Sequence, residues 1–198
     1  MKIGLLALQG AVEPHARSLA RLGVATVLVR RPDDLAAVDA LVIPGGESTT
    51  MSMLLERQEM FEPLAERLAG GMPVLGTCAG MILLAADVAD GRADQRSFGA
   101  IDIGVRRNGY GRQIDSFESD LGIDGLGTDL FHAVFIRAPL VERVGDAVEV
   151  LASVDGVPVL CRHGNIIVSS FHPELSDDTR IHQLLVDAVG ADEHPIKR

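Results

Sequence analysis

The segment PVLGTCAGMILLAA, which runs from Pro73 to Ala86, connects two apolar runs through a turn of small residues. In GTCAG, Gly76 and Gly80 flank Cys78 in the pattern Gly-x-nucleophile-x-Gly, which is typical of a sharp strand-to-helix turn that exposes a reactive side chain. No charged residue occurs from Leu68 to Ala86, but the repeated glycines favour a buried strand, turn and helix over a membrane span. The segment therefore predicts a strand–turn–helix unit of an α/β fold, with a cysteine on its turn.

Apolar runs and helical patterns alternate from the N-terminus to Asp90. Buried strands are predicted for KIGLLAL, VATVLVR, DALVIPGG and MPVLG, at 2–8, 24–30, 39–46 and 72–76. Helices are predicted at 11–23, 48–71 and 79–90, with Ser48 as the cap of the second and with Gly23 and Gly70–Gly71 as helix ends. Strands that alternate with helices indicate a mostly parallel sheet covered by helices on both faces.

The pattern changes after Asp90, where short strand-like runs follow one another without helices between them. These runs predict antiparallel strands added to the same sheet, at 99–107, 113–120, 132–138, 148–154, 157–163 and 165–171. A final helix is predicted at 176–190, and the tail 191–198 is expected to be loose. The chain is thus expected to form a single α/β domain over 1–198, with three αβα layers around a mixed, mostly parallel sheet.

Composition narrows the classes of function and location. With 198 residues, of which 47% are hydrophobic, the chain can bury a sizeable core. A formal net charge of -10 disfavours nucleic acid as a partner. The two cysteines, Cys78 and Cys161, are too few for a disulfide scaffold, and the start MKIGLLALQG lacks a signal-peptide cleavage pattern. We therefore expect a cytoplasmic protein that is not inserted in a membrane.

The setting of Cys78 predicts a catalytic nucleophile rather than a structural thiol. The N-terminus of the helix that follows favours an anion, which stabilises a thiolate, and its backbone N–H groups can hold an oxyanion. The alternative is a small buried hydrophobic residue, which describes most cysteines. Cys161 lies within a predicted strand without flanking glycines and is expected to be structural.

A cysteine nucleophile needs a base, and His172 is the strongest of the six histidines. It stands in SSFHPELSDD, at the end of a predicted strand, and Glu174 follows two residues later. If Pro173 keeps this segment extended, both side chains point to the same side, so that Glu174 can orient the His172 ring as a triad acid does. The alternative is an ordinary surface turn.

The segment PGGEST, Pro44 to Thr49, predicts a turn with free backbone N–H groups at the end of the third strand. Such a turn suits a carbonyl oxygen or a carboxylate, although a plain strand-to-helix turn is an equal alternative. A phosphate loop is disfavoured because no lysine follows the glycines. Neither a metal ion nor a cofactor is expected.

Taken together, GTCAG, PGG and HPE resemble the nucleophile, oxyanion turn and His–Glu pair of the triad (class I) glutamine amidotransferases, in the order of that family. LALQGAVEPH, PGGESTTM, RRNGYGRQIDSFE and VFIRAP narrow the resemblance to the glutaminase subunits of pyridoxal 5'-phosphate synthases. The resemblance extends from Lys2 to about Leu185, whereas the loop at 90–97 and the tail match no motif of that family. It implies a flavodoxin-like fold.

The resemblance also implies roles for individual residues. Cys78 would attack the side-chain amide of L-glutamine, His172 would move the protons, and Glu174 would orient His172. The N–H groups of Gly46 and Ala79 would hold the oxyanion, and Gln9 would lie beside the oxyanion turn and the partner interface. The residues implied in glutamine binding are Gly46, Glu47, Ser48, Arg107, Ile136 and Arg137.

The resemblance implies a synthase as partner, in the form of a (β/α)₈ barrel assembled in a dodecameric ring. It would use the ammonia, with ribose 5-phosphate and glyceraldehyde 3-phosphate, to build pyridoxal 5'-phosphate. The chain itself has only Lys2 and Lys197 as lysines and no Schiff-base motif, so we expect it to supply nitrogen alone. Three alternatives remain: a glutaminase subunit of another synthase, such as one for imidazole glycerol phosphate, a cysteine hydrolase of similar architecture, or an inactive binding subunit.

Overall fold

A computed structural model of the chain describes residues 1–92, 94–107 and 116–192. The helices are α1 Val12–Arg21, α2 Pro32–Ala36, α3 Ser48–Arg57, α4 Phe61–Ala69, α5 Ala79–Leu84 and α6 Arg180–Asp192, with a 3₁₀ turn at Pro173–Leu175. The strands are β1 Lys2–Leu6, β2 Ala25–Val29, β3 Ala40–Ile43, β4 Val74–Thr77, β5 Ala85–Ala89, β6 Ile101–Arg106, β7 Ser116–Leu121, β8 Phe131–Ile136, β9 Leu140–Val144, β10 Glu149–Val154, β11 Val157–His163 and β12 Ile166–Ser169.

The central sheet has seven strands in the order β10-β11-β12-β4-β3-β1-β2. The pairs from β12 through β4, β3 and β1 to β2 are parallel, and the two pairs formed by β10, β11 and β12 are antiparallel. Each residue of β3 and β4 is buried, as expected for strands covered on both faces. The mixed, mostly parallel sheet predicted from the sequence is therefore confirmed.

Two hydrophobic cores lie against the central sheet. One contains residues of α3, α4 and α5, such as Met51, Leu64 and Leu83. The other contains residues of α1 and α6, such as Leu19 and Leu185. Helices thus cover both sheet faces, which confirms the three αβα layers.

The strands after Asp90 do not all join the central sheet, contrary to the sequence-based expectation. Only β10, β11 and β12 do so, whereas β5, β6 and β9 form a three-stranded sheet and β7 pairs with β8. In the central sheet, β12 with β11 and β10 beyond it fills one side of β4, and β3, β1 and β2 fill the other. The smaller sheets instead pack on the two cores, through Ile103 on one and Phe135 on the other.

The predicted helix at 48–71 is two helices, α3 and α4. The amide of Met60 donates to the carbonyl of Leu55, and the amide of Glu59 donates to that of Glu56, which are the two bonds of a Schellman motif. Glu59 takes the left-handed position at φ 53°, where glycine is usual, so the sequence carries no glycine signal for this end. The predicted ends at Gly23 and at Gly71 have the same pair of bonds and positive φ.

Other boundaries also differ from the expectation. Helix α5 ends at Leu84, and the following residues form β5, because they pair with β6 instead of continuing the helix. The short α2 and the strand β9 were not predicted. Of the tail expected to be loose, 191 and 192 belong to α6, and 193–198 lie outside the described residues, as does most of the motif RNGYGRQID at 107–115. Among the described residues, no helix is long and apolar enough to cross a membrane.

Candidate active site

Cys78 sits on a strained turn between β4 and α5. Its backbone has φ 51° and ψ -102°, a combination that residues with side chains rarely adopt. The amide of Cys78 donates to the carbonyl of Ser169 in β12 at 2.8 Å, which holds the turn against the sheet. A Cβ on Gly80 would collide with the backbone oxygen of Ile43, and one on Gly76 would lie 2.8 Å from the Gly80 backbone. Both glycines of the motif are therefore required for close packing of the turn.

His172 reaches Cys78 because β12 runs parallel to β4. Ser169 pairs with Thr77, so the chain leaves both strands at the same end of the sheet. The amide of His172 donates to the carbonyl of Val134 at 2.9 Å, which fixes the segment beyond β12. The structure thus brings the predicted base to the predicted nucleophile.

Glu174 contacts His172 as predicted, but the backbone conformation between them differs from the expected one. Its Oε1 accepts a hydrogen bond from Nδ1 of His172 at 2.8 Å. The expected extended segment is instead a 3₁₀ turn with Pro173 at its start, a position that suits the fixed φ of proline. Glu174 is buried, with 6% of its surface exposed, so this turn carries a carboxylate into the core.

The charges of this group favour a protonated His172 ring beside the Glu174 carboxylate. Burial alone would lower the pKa of His172, but hydrogen bonds to Cys78 and Glu174 raise that pKa to about 10. Burial alone would raise the pKa of Glu174, but the hydrogen bond from His172 and the neighbouring histidines lower it. Burial raises the pKa of the Cys161 thiol to about 11, which fits the structural role expected for it. The His172 ring is therefore equipped to hold a proton between the thiol and the carboxylate.

The PGG turn lies directly against the triad. A Cβ on Gly45 would be 2.5 Å from Cε1 of His172 and 3.4 Å from Cβ of Cys78. The carbonyl of Gly45 accepts a hydrogen bond from the amide of Ala11 at 3.2 Å, and in a trans peptide the N–H of Gly46 points the opposite way. Gln9 supports the turn, because its Oε1 accepts a hydrogen bond from the amide of Glu47 at 2.9 Å.

A cavity of about 400 Å³ opens over Cys78 and His172. It is large enough for a small amino acid and lies within the usual range of ligand pockets. Gln9 lines it, and so do all the residues that the resemblance implies in glutamine binding, namely Gly46, Glu47, Ser48, Arg107, Ile136 and Arg137. Ala79, the other expected oxyanion donor, is the first residue of α5 and follows Cys78.

The profile of the SNO glutamine amidotransferase family matches residues 5–191. The chain belongs to this family. Two relatives, each named pyridoxal 5'-phosphate synthase subunit PdxT, come from Frankia alni and Mycobacteroides abscessus and are both 57% identical to it. The first match covers 95% of this chain and 94% of the relative, and the second covers 96% and 97%.

Solved structures agree with this assignment. A crystal structure of a glutamine amidotransferase is 43% identical, with a TM-score of 0.89, and the match covers 95% of this chain and 98% of the other. The structure of a putative GMP synthase component from Thermoplasma acidophilum has a TM-score of 0.68 at 16% identity, with coverage of 98% and 96%, and shows the fold alone. Membership of the SNO family favours an amidotransferase over the cysteine hydrolase and the inactive binding subunit.

The structure corrects the expected helix cap at Ser48 and shows which charged side chains of the cavity are paired. Glu47, and not Ser48, caps α3, because its carboxylate accepts hydrogen bonds from the amides of Thr49 and Thr50. The same carboxylate binds Nη2 of Arg107 at 2.6 Å. Arg137, in contrast, has no ion pair with any described residue.

Three contacts of the site were missed by reasoning from the sequence. The carbonyl oxygen of Ile136 lies 3.9 Å from the Cys78 sulfur, within the range of a weak S–H hydrogen bond. Gln95, in the loop that matched no motif, donates from its side-chain amide to the hydroxyl of Ser48 at 3.2 Å. His15 lies in a predicted helix and contacts Glu174. For the contact of His15 with Glu174, the sequence did carry a signal, namely a histidine among the apolar positions of a predicted helix.

Within the described residues, no cluster of His, Cys, Asp and Glu is suited to hold a metal ion. Of the described histidines other than His172, none lines the cavity. His132 and His163 are exposed at strand ends, His182 is buried in α6, and His194 lies outside the described residues.

Proposed function

We propose that this chain hydrolyses L-glutamine to L-glutamate and ammonia through Cys78, His172 and Glu174, and that the ammonia serves the synthesis of pyridoxal 5'-phosphate. One observation carries the proposal. The nucleophile turn and the bonded His172–Glu174 pair, with 2.8 Å between Nδ1 and Oε1, meet in a cavity lined by the candidate glutamine-binding residues. The names of the two relatives support the use of the ammonia.

The first half of the reaction forms a thioester. The Cys78 sulfur attacks the side-chain amide carbon of glutamine, and the carbonyl electrons move onto the oxygen. The N–H groups of Gly46 and Ala79 stabilise this oxyanion, one from the PGG turn and one from the start of α5. His172 donates its proton to the leaving nitrogen, so that ammonia departs as the C–N bond breaks.

The second half releases glutamate. His172, now neutral, takes a proton from water, and the hydroxide attacks the thioester carbon. The C–S bond breaks, and the proton on His172 again stabilises the Cys78 thiolate. Glu174 holds the same ring nitrogen, Nδ1, through both halves, which keeps Nε2 available for the protons that move.

Glutamine recognition requires a cation for the α-carboxylate, and Arg137 is the better candidate of the two arginines. Arg137 lines the cavity and is not engaged in an ion pair with the described residues, so its guanidinium is available to bind a carboxylate through two hydrogen bonds. The carboxylate of Glu47 already receives bonds from Thr49, Thr50 and Arg107. Glu47 therefore contributes by fixing Arg107 and the start of α3 at the cavity wall.

The partner in this proposal is the synthase, whose (β/α)₈ barrels form a dodecameric ring and combine the ammonia with ribose 5-phosphate and glyceraldehyde 3-phosphate. In this proposal Gln9 connects the partner to the site, and the support is that its Oε1 accepts a hydrogen bond from the amide of Glu47, directly after the PGG turn, while Gln9 also lines the cavity. We also propose a cytoplasmic location, supported by two free cysteines, Cys78 and Cys161, in a chain that needs its thiol reduced.

The experiment measures glutamate release with and without the synthase, together with labelling by a glutamine analogue that alkylates thiols. We expect the wild type to hydrolyse glutamine with synthase present and the analogue to label Cys78. Cys78→Ala should lose both properties, and the control Cys161→Ala should keep both. A Cys78→Ala variant as active as the wild type would refute the proposed triad.

A further inference from the structure

A row of buried polar side chains continues from the triad into the core. It consists of Glu174, His15 on α1, His182 on α6 and Thr77 at the end of β4. Apart from Glu174, each member of this row is completely buried, with 0% of its surface exposed. In a core of this kind, polar groups are retained where they satisfy one another or serve a function.

The distances define an ordered chain of contacts. Nε2 of His15 lies 3.4 Å from Oε2 of Glu174 and 3.3 Å from the hydroxyl oxygen of Thr77. Nδ1 of His15 lies 2.9 Å from Nε2 of His182. Glu174 therefore faces a histidine with each oxygen, His172 with Oε1 and His15 with Oε2.

The carboxylate determines where the protons of this row sit. A lone pair on Nε2 of His15 would face the negative Oε2 of Glu174, so Nε2 carries the proton and Nδ1 is the acceptor. His182 must then donate its Nε2–H to Nδ1 of His15. Burial lowers the pKa of His15, and burial lowers that of His182 to about 3, so each ring is neutral and carries one proton. The Nε2–H of His182 is thus directed at His15, and the Nε2–H of His15 lies on the side of Glu174.

We propose that His15 is a positioning residue of the glutaminase reaction, whose Nε2 edge attracts Oε2 of Glu174 electrostatically across 3.4 Å, so that Oε1 stays in line with Nδ1 of His172. This inference rests on the proposed function. Among the described residues, Oε2 has no hydrogen-bond partner, and His15 faces it as an ion-pair partner with Nε2 at 3.4 Å. Without His15 the buried carboxylate would lose this restraint and could rotate away from His172.

The test compares His15→Leu, which removes the donor, with His15→Gln, whose side-chain amide can place an N–H near the position of Nε2. With synthase present, we expect His15→Leu to lower kcat by about 10-fold to 100-fold, the loss typical when groups that orient metal ligands are removed. KM should change by less than about twofold, since His15 does not line the cavity. His15→Gln should recover most of kcat.

The matched control is Ser18→Ala on the same helix, which alters a buried polar side chain that bonds the Pro14 carbonyl rather than Glu174. It should leave kcat unchanged. If His15→Leu does not fold, His15→Asn replaces it, since its shorter side chain withdraws the donor from Glu174 and should show the same loss. A folded variant without that donor and with wild-type kcat would overturn the inference.

A double-mutant cycle separates positioning from a general structural role. If His15 acts through the Glu174 carboxylate, His15→Leu should lower kcat by less than about twofold in the Glu174→Gln background. If the kcat losses of the two single variants multiply in the double variant, the inference is overturned. Because wild-type hydrolysis is the reference, its absence would overturn the proposed function together with this inference, whereas an active wild type and an equally active His15→Leu overturn the positioning role alone.

Discussion

Nδ1 of His172 lies 2.8 Å from Oε1 of Glu174, and the two residues stand in a tight turn with only Pro173 between them. Because the pair is local, the geometry of the acid and the base depends on few other residues. The burial of Glu174, with 6% of its surface exposed, shields this bond from solvent.

Glu174→Gln should lower kcat by roughly 10²–10⁴, the range seen for triad acids. The amide keeps the shape of the carboxylate but does not stabilise an imidazolium. Steady-state glutamate release with synthase present is the measurement, and His172→Ala, expected to be more severe, is the comparison. A Glu174→Gln variant with the kcat of the wild type would mean that another group orients His172.

The titration of His172 should make the stability of the fold dependent on pH. Its pKa is about 10 in the folded chain and near 6.5 when unperturbed, so the proton is held more tightly by the folded state. The resulting stabilisation is fully present below pH 6.5 and is lost as the pH rises through about 10. The free energy of unfolding of the wild type, relative to His172→Gln, should therefore fall across this range in urea titrations. A constant difference would contradict the raised pKa.

Gly80→Ala should destabilise the fold, because the added Cβ would collide with the backbone oxygen of Ile43 in β3. Overpacking of this kind costs about 1–3 kcal/mol. Gly190 is the matched control. It lies in α6, and outside its own stretch of helix no described atom lies within 4 Å of an added Cβ, so Gly190→Ala should stabilise the chain by about 0.5–1 kcal/mol. Thermal melting of both variants tests the pair, and equal effects would contradict the packing argument.

Arg137→Gln should raise KM for glutamine more than it lowers kcat. Removing the charged guanidinium that binds the α-carboxylate should weaken the free energy of glutamine binding by about 1.5–3 kcal/mol, or roughly 10-fold to 100-fold in affinity. Arg143→Gln is the control, because Arg143 pairs with Asp87 and Asp102 outside the cavity lining. An unchanged KM in Arg137→Gln would assign carboxylate recognition to Arg107 instead.

The parts of the fold that sequence reasoning predicted are those dictated by local chemistry. The turn at Cys78 could be anticipated because only glycine at Gly80 lets α5 approach β3. Helix ends at Gly23 and Gly71 follow from the freedom of glycine at positive φ. The central parallel strands are mostly apolar, a pattern typical of a sheet covered on both faces.

The parts that were missed depend on tertiary contacts. Glu59 adopts the left-handed conformation that ends α3, and the identity of its side chain does not predict this conformation. The division of the later strands among three sheets depends on which of these strands pairs with β4, and this partner is β12. In the site, the contacts of His15 with Glu174 and of Gln95 with Ser48 join residues far apart in sequence, so spacing alone could not reveal them.

The pairing of β12 with β4 has a consequence for the protein during its synthesis. The ribosome makes Cys78 long before it makes Ser169 and His172, yet the amide of Cys78 is held by the Ser169 carbonyl. A nascent chain that has not reached β12 therefore carries a thiol without its base, its acid or the anchor of its turn. On the proposed mechanism, unfinished or truncated chains should therefore not hydrolyse glutamine, because the base and the acid are in place only when the last strand has paired with β4 in the centre of the sheet.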